Sequence, residues 1–233
     1  MERLRFFTPR TDCELLPGRD RRMQYELASD LTAAEYQGRM LAGWRRFGPA
    51  MFRNACPSCQ RCQSLRVPVA SFRPDATQRR VWRANRSALQ LVRGVPSMTA
   101  AKQRLFDAFH EFQHEARGWP MPHGEETSAF VHNPFPTDEW CYYLDDRLVG
   151  VGYVDVLPAG LSAIYFYYDP AERRRSLGTF NVLSAIEAAR ELGLEHVYLG
   201  YYVAGCRSLE YKARFRPNEI LLAGGDQWTP FGG

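Results

Sequence analysis

At 233 residues, with 45% hydrophobic side chains that include 14 Phe, 12 Tyr and 5 Trp, the chain can bury a core along its length, which excludes a disordered polymer. No stretch approaches the roughly 20 consecutive apolar residues of a membrane span, and "MERLRFFTPR" has no signal-like apolar run, so a cytoplasmic protein without a membrane partner is expected. The formal charge of +4 is the balance of unlike parts, 18 Arg against 8 acids in residues 1–96 and 12 basic side chains against 18 acids in residues 97–233, which suggests two domains divided there, the first facing a polyanion.

Pro9, Pro17 and Gly18 mark a loop ahead of a short strand near Met23 to Leu27. Ser29 or Asp30 then caps a helix whose apolar residues keep helical spacing until Gly48. "CPSCQRC", residues 56–62, sets three thiols at intervals of three, a spacing open to a metal centre, to disulfides or to a redox site. A reducing compartment favours metal or redox chemistry over structural disulfides. "SLRVPVASF" reads as a strand that Pro68 confines to a sheet edge or a strand end. Residues 75–92 read as a helix with Arg79, Arg80, Arg83 and Arg86 on one face. Between residues 39 and 93 stand 12 Arg, no Lys and the single acid Asp75. Guanidinium forks suit phosphates and stacked bases, and a codon preference for Arg over Lys does not explain the missing acids. Arg45, Arg46, Arg79, Arg80 and Arg83 are the candidate RNA contacts.

Residues 97–117 form an amphipathic helix with Leu105, Phe109 and Phe112 inward. His110 and His114 stand four apart on it, a chelating spacing, although a solvated pair beside Glu111 and Glu115 is the commoner meaning. The Pro-rich residues 118–140 read as a linker or cover. Three strands follow at 140–145, 148–157 and 161–169, turning at Asp146 and Arg147 and at "PAG". A helix from Ser176 to Leu192 buries Leu183 and Ile186, and a strand at 196–203 lies parallel to the third by a right-handed crossover. The fold class expected is α+β, an acetyltransferase-like (GNAT-like) mixed sheet with helices, plus an N-terminal Cys-rich α+β domain.

Seven segments in chain order, "TPRTDCELLPGR", "FRNACPSCQRCQSLRVPV", "FRPDATQRR", "YFYYDP", "SLGT", "YLGYY" and "GCRSLEYKARFRPNEIL", resemble the aminoacyl-tRNA protein transferase family from about residue 7 to residue 222. The resemblance is to its bacterial, leucine-moving branch. It implies transfer of an amino acid from a charged tRNA, leucyl-tRNA foremost and arginyl-tRNA as the alternative, to the α-amino group of proteins that begin with Asp or Glu, marking them for N-degron proteolysis. It also links the N-terminal thiols to zinc or an iron-sulfur cluster, with Cys13 joining Cys56, Cys59 and Cys62; four thiolates suit either group, and simply packed reduced cysteines are the plain alternative. Residues 97–139 depart from the family's Tyr-rich helix.

The chemistry so implied is aminolysis of an ester, which is downhill and needs no cofactor; positioning supplies much of the rate. The amine titrates near ~8, so a proton acceptor is wanted. Asp169 in "YFYYDP" is the first candidate, with capping of the turn at Pro170 as its plainer role. Tyr165 and its strand neighbours offer backbone N–H groups to an oxyanion. The helix start in "ERRRSLGT" offers Ser176, Leu177 and Gly178 to the tRNA 3′ end with Arg174 and Arg175 beside them, unless those arginines pair with Glu172. Lys212, one of only two lysines, and Arg214 and Arg216 are the cations available to an acidic acceptor. Tyr201, Tyr202 and Tyr211 line the pocket or belong to the core, and Cys206 reads as a packed thiol. A coenzyme A-dependent N-acetyltransferase and an inert, metal-stabilised RNA-binding module are the rival readings.

Overall fold

Strand alternation and helix caps account for most of the secondary structure. The computed structural model describes residues 4–27, 31–122 and 127–232. Strands β1 (Arg5–Phe7), β2 (Thr11–Asp12), β3 (Asp20–Arg21) and β4 (Met23–Leu27) precede helix α1 (Ala33–Leu41). Thr32 caps α1 in a reciprocal box with Glu35; Ser29 and Asp30, the expected caps, lie outside the described residues. The helix ends well before Gly48, because Gly43 takes φ +80 and turns the chain into β5 (Arg45–Phe47) and β6 (Ala50–Asn54).

β7 (Gln63–Pro68) comes next, then α2 (Ala76–Asn85), where Asp75 forms a capping box with Gln78. The one acid of the Arg-rich stretch therefore serves as a helix cap. The helical pattern does not run on to residue 92: Leu89–Gly94 form β8. Helix α3 (Ala100–Arg117) buries Leu105, Phe106, Phe109, His110 and Gln113, so Phe106 rather than Phe112 completes its apolar stripe. After the short α4 (Ser128–Val131) come β9 (Thr137–Leu144), β10 (Arg147–Leu157), β11 (Gly160–Tyr168), α5 (Leu177–Glu191) and β12 (His196–Tyr202), close to expectation. The chain ends with α6 (Arg207–Glu210), β13 (Asn218–Leu221) and β14 (Trp228–Phe231), two strands the sequence pattern did not announce. Among the described residues no helix is long and apolar enough to cross a membrane.

Eight strands form one mixed sheet in the order β14-β13-β7-β12-β11-β10-β9-β8. β11 and β12 are parallel and joined through α5, while β9, β10 and β11 form an antiparallel meander, an α+β core with the strand order expected from the sequence. β7 lies inside the sheet between β12 and β13, with Pro68 as its last residue opposite His196. The expected division at 96/97 is thereby corrected: residues 63–94 supply β7 and β8 to the same sheet as the C-terminal strands, and backbone pairing runs across the boundary. Leu65 and Val67 share a core with Leu183 and Ile186 of α5.

A second sheet, β1-β4-β6-β5, packs with α1 against the first. Tyr36, Met40 and Met51 bury themselves against Leu157 and Tyr198. At this junction Arg46 of β5 meets Asp155 of β10, both side chains almost wholly buried. Arg46 Nε donates to Asp155 at 2.5 Å, its Nη2 grips the second oxygen, and Thr137 and Tyr36 donate to the same carboxylate. A buried carboxylate that accepts from a guanidinium fork and two hydroxyls has its desolvation compensated; deleting one ion strands the other. Asp155→Ala should lower the unfolding free energy by ~3–5 kcal/mol in denaturant titration, and the double variant Arg46→Met, Asp155→Leu should lose clearly less.

Candidate active site

Two irregularities open the large sheet. Parallel pairing between β11 and β12 stops at Ser162 opposite Tyr198, although both strands continue. β11 carries one extra residue, Ile164, where its register against β10 shifts beside Tyr153, and β12 carries Leu199 in excess where its register against β7 shifts. The two edges splay, and Gly200 at φ +80 turns β12 away. Between them lies a cleft of about 750 Å³.

The N-terminus of α5 enters this cleft through Ser176, Leu177, Gly178 and Thr179. Ser176 takes a left-handed conformation, φ 56 and ψ 48, and makes no side-chain cap bond. The first-turn N–H groups and the positive end of the helix dipole are therefore available to an anion or a developing oxyanion. The Leu177 side chain is core; its backbone is the functional part.

Tyr165 lines the cleft, half-buried, and is coupled to a residue the sequence reading left aside. His110 of α3 lies 2.8 Å through Nδ1 from the Phe106 carbonyl, and 2.7 Å through Nε2 from the Tyr165 hydroxyl. A carbonyl only accepts, so Nδ1 bears the proton and Nε2 accepts from the phenol. His110 is thus neither solvated nor a ligand paired with His114, whose Nδ1 reaches Trp119 O at 2.7 Å from an exposed position.

On the β12 side stand Tyr201, Lys212, Arg214 and Arg45. The Lys212 ammonium donates to Tyr201 O at 3.0 Å; burial, reinforced by the Arg45 charge, pushes its pKa down to about 7. Burial also lowers the pKa of Arg45 from its ordinary value. Tyr211 joins the same wall.

Other expected site residues fall elsewhere. Asp169 is not part of the cleft wall: its Oδ1 accepts from Ala171 N at 2.9 Å as a turn cap and its Oδ2 pairs with Arg147. Arg175 pairs with Glu172 at 2.8 Å and Arg174 points to solvent, while Arg173 of the same turn reaches the cleft. Tyr202 packs on Phe231 at 5.0 Å in the core. Arg216 folds back onto Ala213 O at 3.2 Å. Arg46, consumed by Asp155 and 4% exposed, has no fork left for a phosphate, and Arg45 is buried in the cleft rather than displayed to a polymer. Arg79, Arg80 and Arg83 do form an exposed row on α2, apart from the cleft.

Cys13, Cys56, Cys59 and Cys62 gather in one neighbourhood, but as arranged they do not fit a metal centre. Among the described residues no three His, Cys, Asp or Glu are disposed to hold a metal ion. Cys56 Sγ instead lies 3.5 Å from Arg22 N and 3.7 Å from Arg22 O, and burial, with the neighbouring thiols adding, pushes Cys62 up to about 12. A metal ligand must be a thiolate, and the burial of Cys62 opposes that form in this arrangement. Cys206 is likewise buried, with Ser208 Oγ 3.3 Å from its sulfur.

Residues 101–222 match the family described as arginine-tRNA-protein transferase, C terminus, and residues 11–80 match its N terminus. The aspartate/glutamate leucyltransferase of Chromobacterium violaceum is 37% identical over an alignment spanning 94% of this chain and 91% of that protein. That of Halorhodospira halophila is 37% identical over 90% of each, and that of Campylobacter jejuni 32% over 93% and 92%. Among solved structures FemX aligns with a TM-score of 0.54 at 10% identity, covering 82% of this chain and 66% of its own. A C-terminal domain assigned to a lysylphosphatidylglycerol synthetase of Agrobacterium fabrum aligns at 0.52 and 15%, covering 74% and 59%. At such identities the likeness concerns the fold alone. With both halves of the family matched in order and close relatives in length and sequence, the chain belongs to the arginine-tRNA-protein transferase family and is an aminoacyltransferase.

Proposed function

We propose that this enzyme transfers leucine from leucyl-tRNA to the α-amino group of proteins that begin with Asp or Glu. The observation that carries the reading is the charge of the cleft: Arg45, Arg117, Arg173, Arg207, Lys212 and Arg214 line it, Arg46 being neutralised by Asp155, and no Asp or Glu lines it among the described residues. Such a wall attracts an acidic acceptor and the 3′ end of a nucleic acid. It repels a cationic side chain, which favours leucine over arginine as the group carried. The names of the relatives, aspartate/glutamate leucyltransferases, support the same choice.

In this reading the ester carbonyl lies between the splayed strands, its oxygen toward the free N–H groups at the start of α5, where negative charge develops during attack. The Tyr165 hydroxyl, hydrogen-bonded to His110 Nε2, is the group on this wall that relays the proton of the incoming amine. As the amine attacks the ester carbon its proton passes to the phenol oxygen while the phenol proton moves to His110; when the tetrahedral intermediate collapses, the imidazolium returns that proton through the phenol to the departing ribose oxygen, and both side chains regain their starting state. No cofactor enters this sequence. The exposed row Arg79, Arg80 and Arg83 offers the body of the tRNA its phosphate contacts, and cytoplasmic N-degron proteolysis is the setting that suits the product.

Three outcomes follow from this mechanism. With tRNA charged by labelled Leu or Arg and peptides beginning with Asp, Glu or Ala, label should pass from Leu to the acidic peptides; label on none of them rejects the reading, and label from Arg alone rejects the donor. Tyr165→Phe should lower kcat by ~100-fold or more while leaving KM for leucyl-tRNA near its original value, a general acid–base effect. Lys212, at about 7 when folded against ~10.4 when free, binds its proton more weakly in the folded chain, so stability declines as pH falls from ~10.4 to about 7 and declines no further below. Lys212→Met should therefore melt at least ~2 °C higher than the parent at pH 6, with the gain shrinking toward pH 10.

A further inference from the structure

The floor of the cleft holds a charge that the described chain does not neutralise. Arg45 is 6% exposed, with Nη1 donating to Trp44 O at 2.7 Å and lying 3.9 Å from Met40 Sδ, whereas Nε and Nη2 are buried without a hydrogen-bond partner. The rings of Tyr198 and Tyr201 flank the guanidinium, 5.9 and 5.6 Å from centroid to Cζ. Its neighbour Arg46 shows the saturated state of the same group, both edges occupied by Asp155, Thr137 and Gly48. Side chains of successive strand residues point to opposite sides, so clamping Arg46 onto Asp155 directs Arg45 away from that acid. Lys212 stands close enough for the two positive charges to feel each other.

Nε and Nη2 carry the parallel N–H bonds of one edge of the fork, whose spacing matches the two oxygens of a single carboxylate. A buried guanidinium with that edge empty is costly, and the cost is recovered when an anion arrives. We propose that Arg45 is the acceptor-specificity residue: its free Nε–Nη2 edge takes the side-chain carboxylate of an N-terminal Asp or Glu and sets the adjoining α-amino group against the ester. This rests on the reading that the acceptor is acidic. An Asn or Gln side chain would turn an amide NH2 toward one of these N–H donors, leaving donor facing donor, so the edge discriminates by charge and by hydrogen-bond sense together. A tRNA phosphodiester fits less well. It brings a ribose on each side into a pocket closed by two tyrosine rings, whereas the arginines of α2 are exposed and open to a phosphate from any side.

The test measures transfer of Leu from leucyl-tRNA to peptides that differ only in a first residue of Asp, Glu, Asn or Gln, with the parent enzyme, Arg45→Gln and Arg45→Lys. For Arg45→Gln the expected result is a loss of ~30-fold or more in kcat/KM for the acidic peptides, a Glu-over-Gln preference falling toward one, and an unchanged KM for leucyl-tRNA. Arg45→Lys should keep part of the preference. A preference that survives Arg45→Gln overturns the proposal, as does a rise in KM confined to leucyl-tRNA, which would assign the edge to a phosphate. Should Arg45→Gln fold poorly, the melting temperature of the parent enzyme decides: it should rise with millimolar Glu-peptide and not with Gln-peptide, and an equal rise with both overturns the inference. Because melting requires no transfer, it reads this inference even if the parent moves leucine to no peptide, an outcome that would reject the function proposed above instead.

Discussion

Arg46 and Asp155 meet where almost no water reaches, and much of the molecule is arranged by that meeting. The carboxylate comes from the long strand β10 and the guanidinium from the short strand β5 of the smaller sheet, with Tyr36 of α1 and Thr137 of β9 closing the ring of donors. A charged pair in low dielectric tolerates little displacement, because either ion left alone is far costlier than the pair. The clamp therefore fixes the smaller sheet in angle and in phase. Phase matters most, since a one-residue slip of β5 would exchange the directions of Arg45 and Arg46.

The catalytic half supplies the complementary feature, a sheet that comes apart on purpose. Extra residues at Ile164 and Leu199 spread β11 from β12, so that backbone groups, a helix N-terminus and the Tyr165–His110 pair face one space. The wall of that space is cationic throughout, and its buried members keep little compensation of their own. Lys212 responds by holding its proton loosely, and Arg45 by leaving two donors idle. By contrast Asp169, Glu172, Arg147 and Arg175 pair with one another at the surface, and none of them lines the cleft.

Periodicity made the central meander, α5 and β12 legible, because long alternating or amphipathic segments have few alternatives. β8 was hidden by a helix pattern that seemed to continue through Leu89, and β13 and β14 by their brevity. α3 was found but its stripe was rotated, since Phe106 and Phe112 fit a helical period almost equally. Tyr165, Ser176, Gly178, Tyr201, Tyr211, Lys212 and Arg214, which stand in the segments that resemble the family, all line the cleft. Sequence shows that a residue is charged but not whether it is spoken for. Hence Asp169 is open in the sequence to the roles of base and turn cap and in the fold makes the cap, and Arg45 and Arg46 stand together as RNA candidates because nothing local separates adjacent arginines, although Arg46 is a clamp. The thiol spacing is open to a metal centre, disulfides or a redox site, because the loop backbone, not the spacing, decides how sulfurs converge.

β7 adds a constraint of another kind. It is made early, yet both strands that flank it, β12 and β13, lie near the far end of the chain. On the ribosome its two hydrogen-bonding rims stay open until β12 and β13 have emerged, and the nascent polypeptide must avoid promiscuous strand addition for that whole interval. The two stretches that match separate family halves are consequently not interchangeable cassettes: recombination between relatives at residue 80 to 100 would swap a central stave of the sheet together with its front, and only chimaeras whose staves still mesh would assemble.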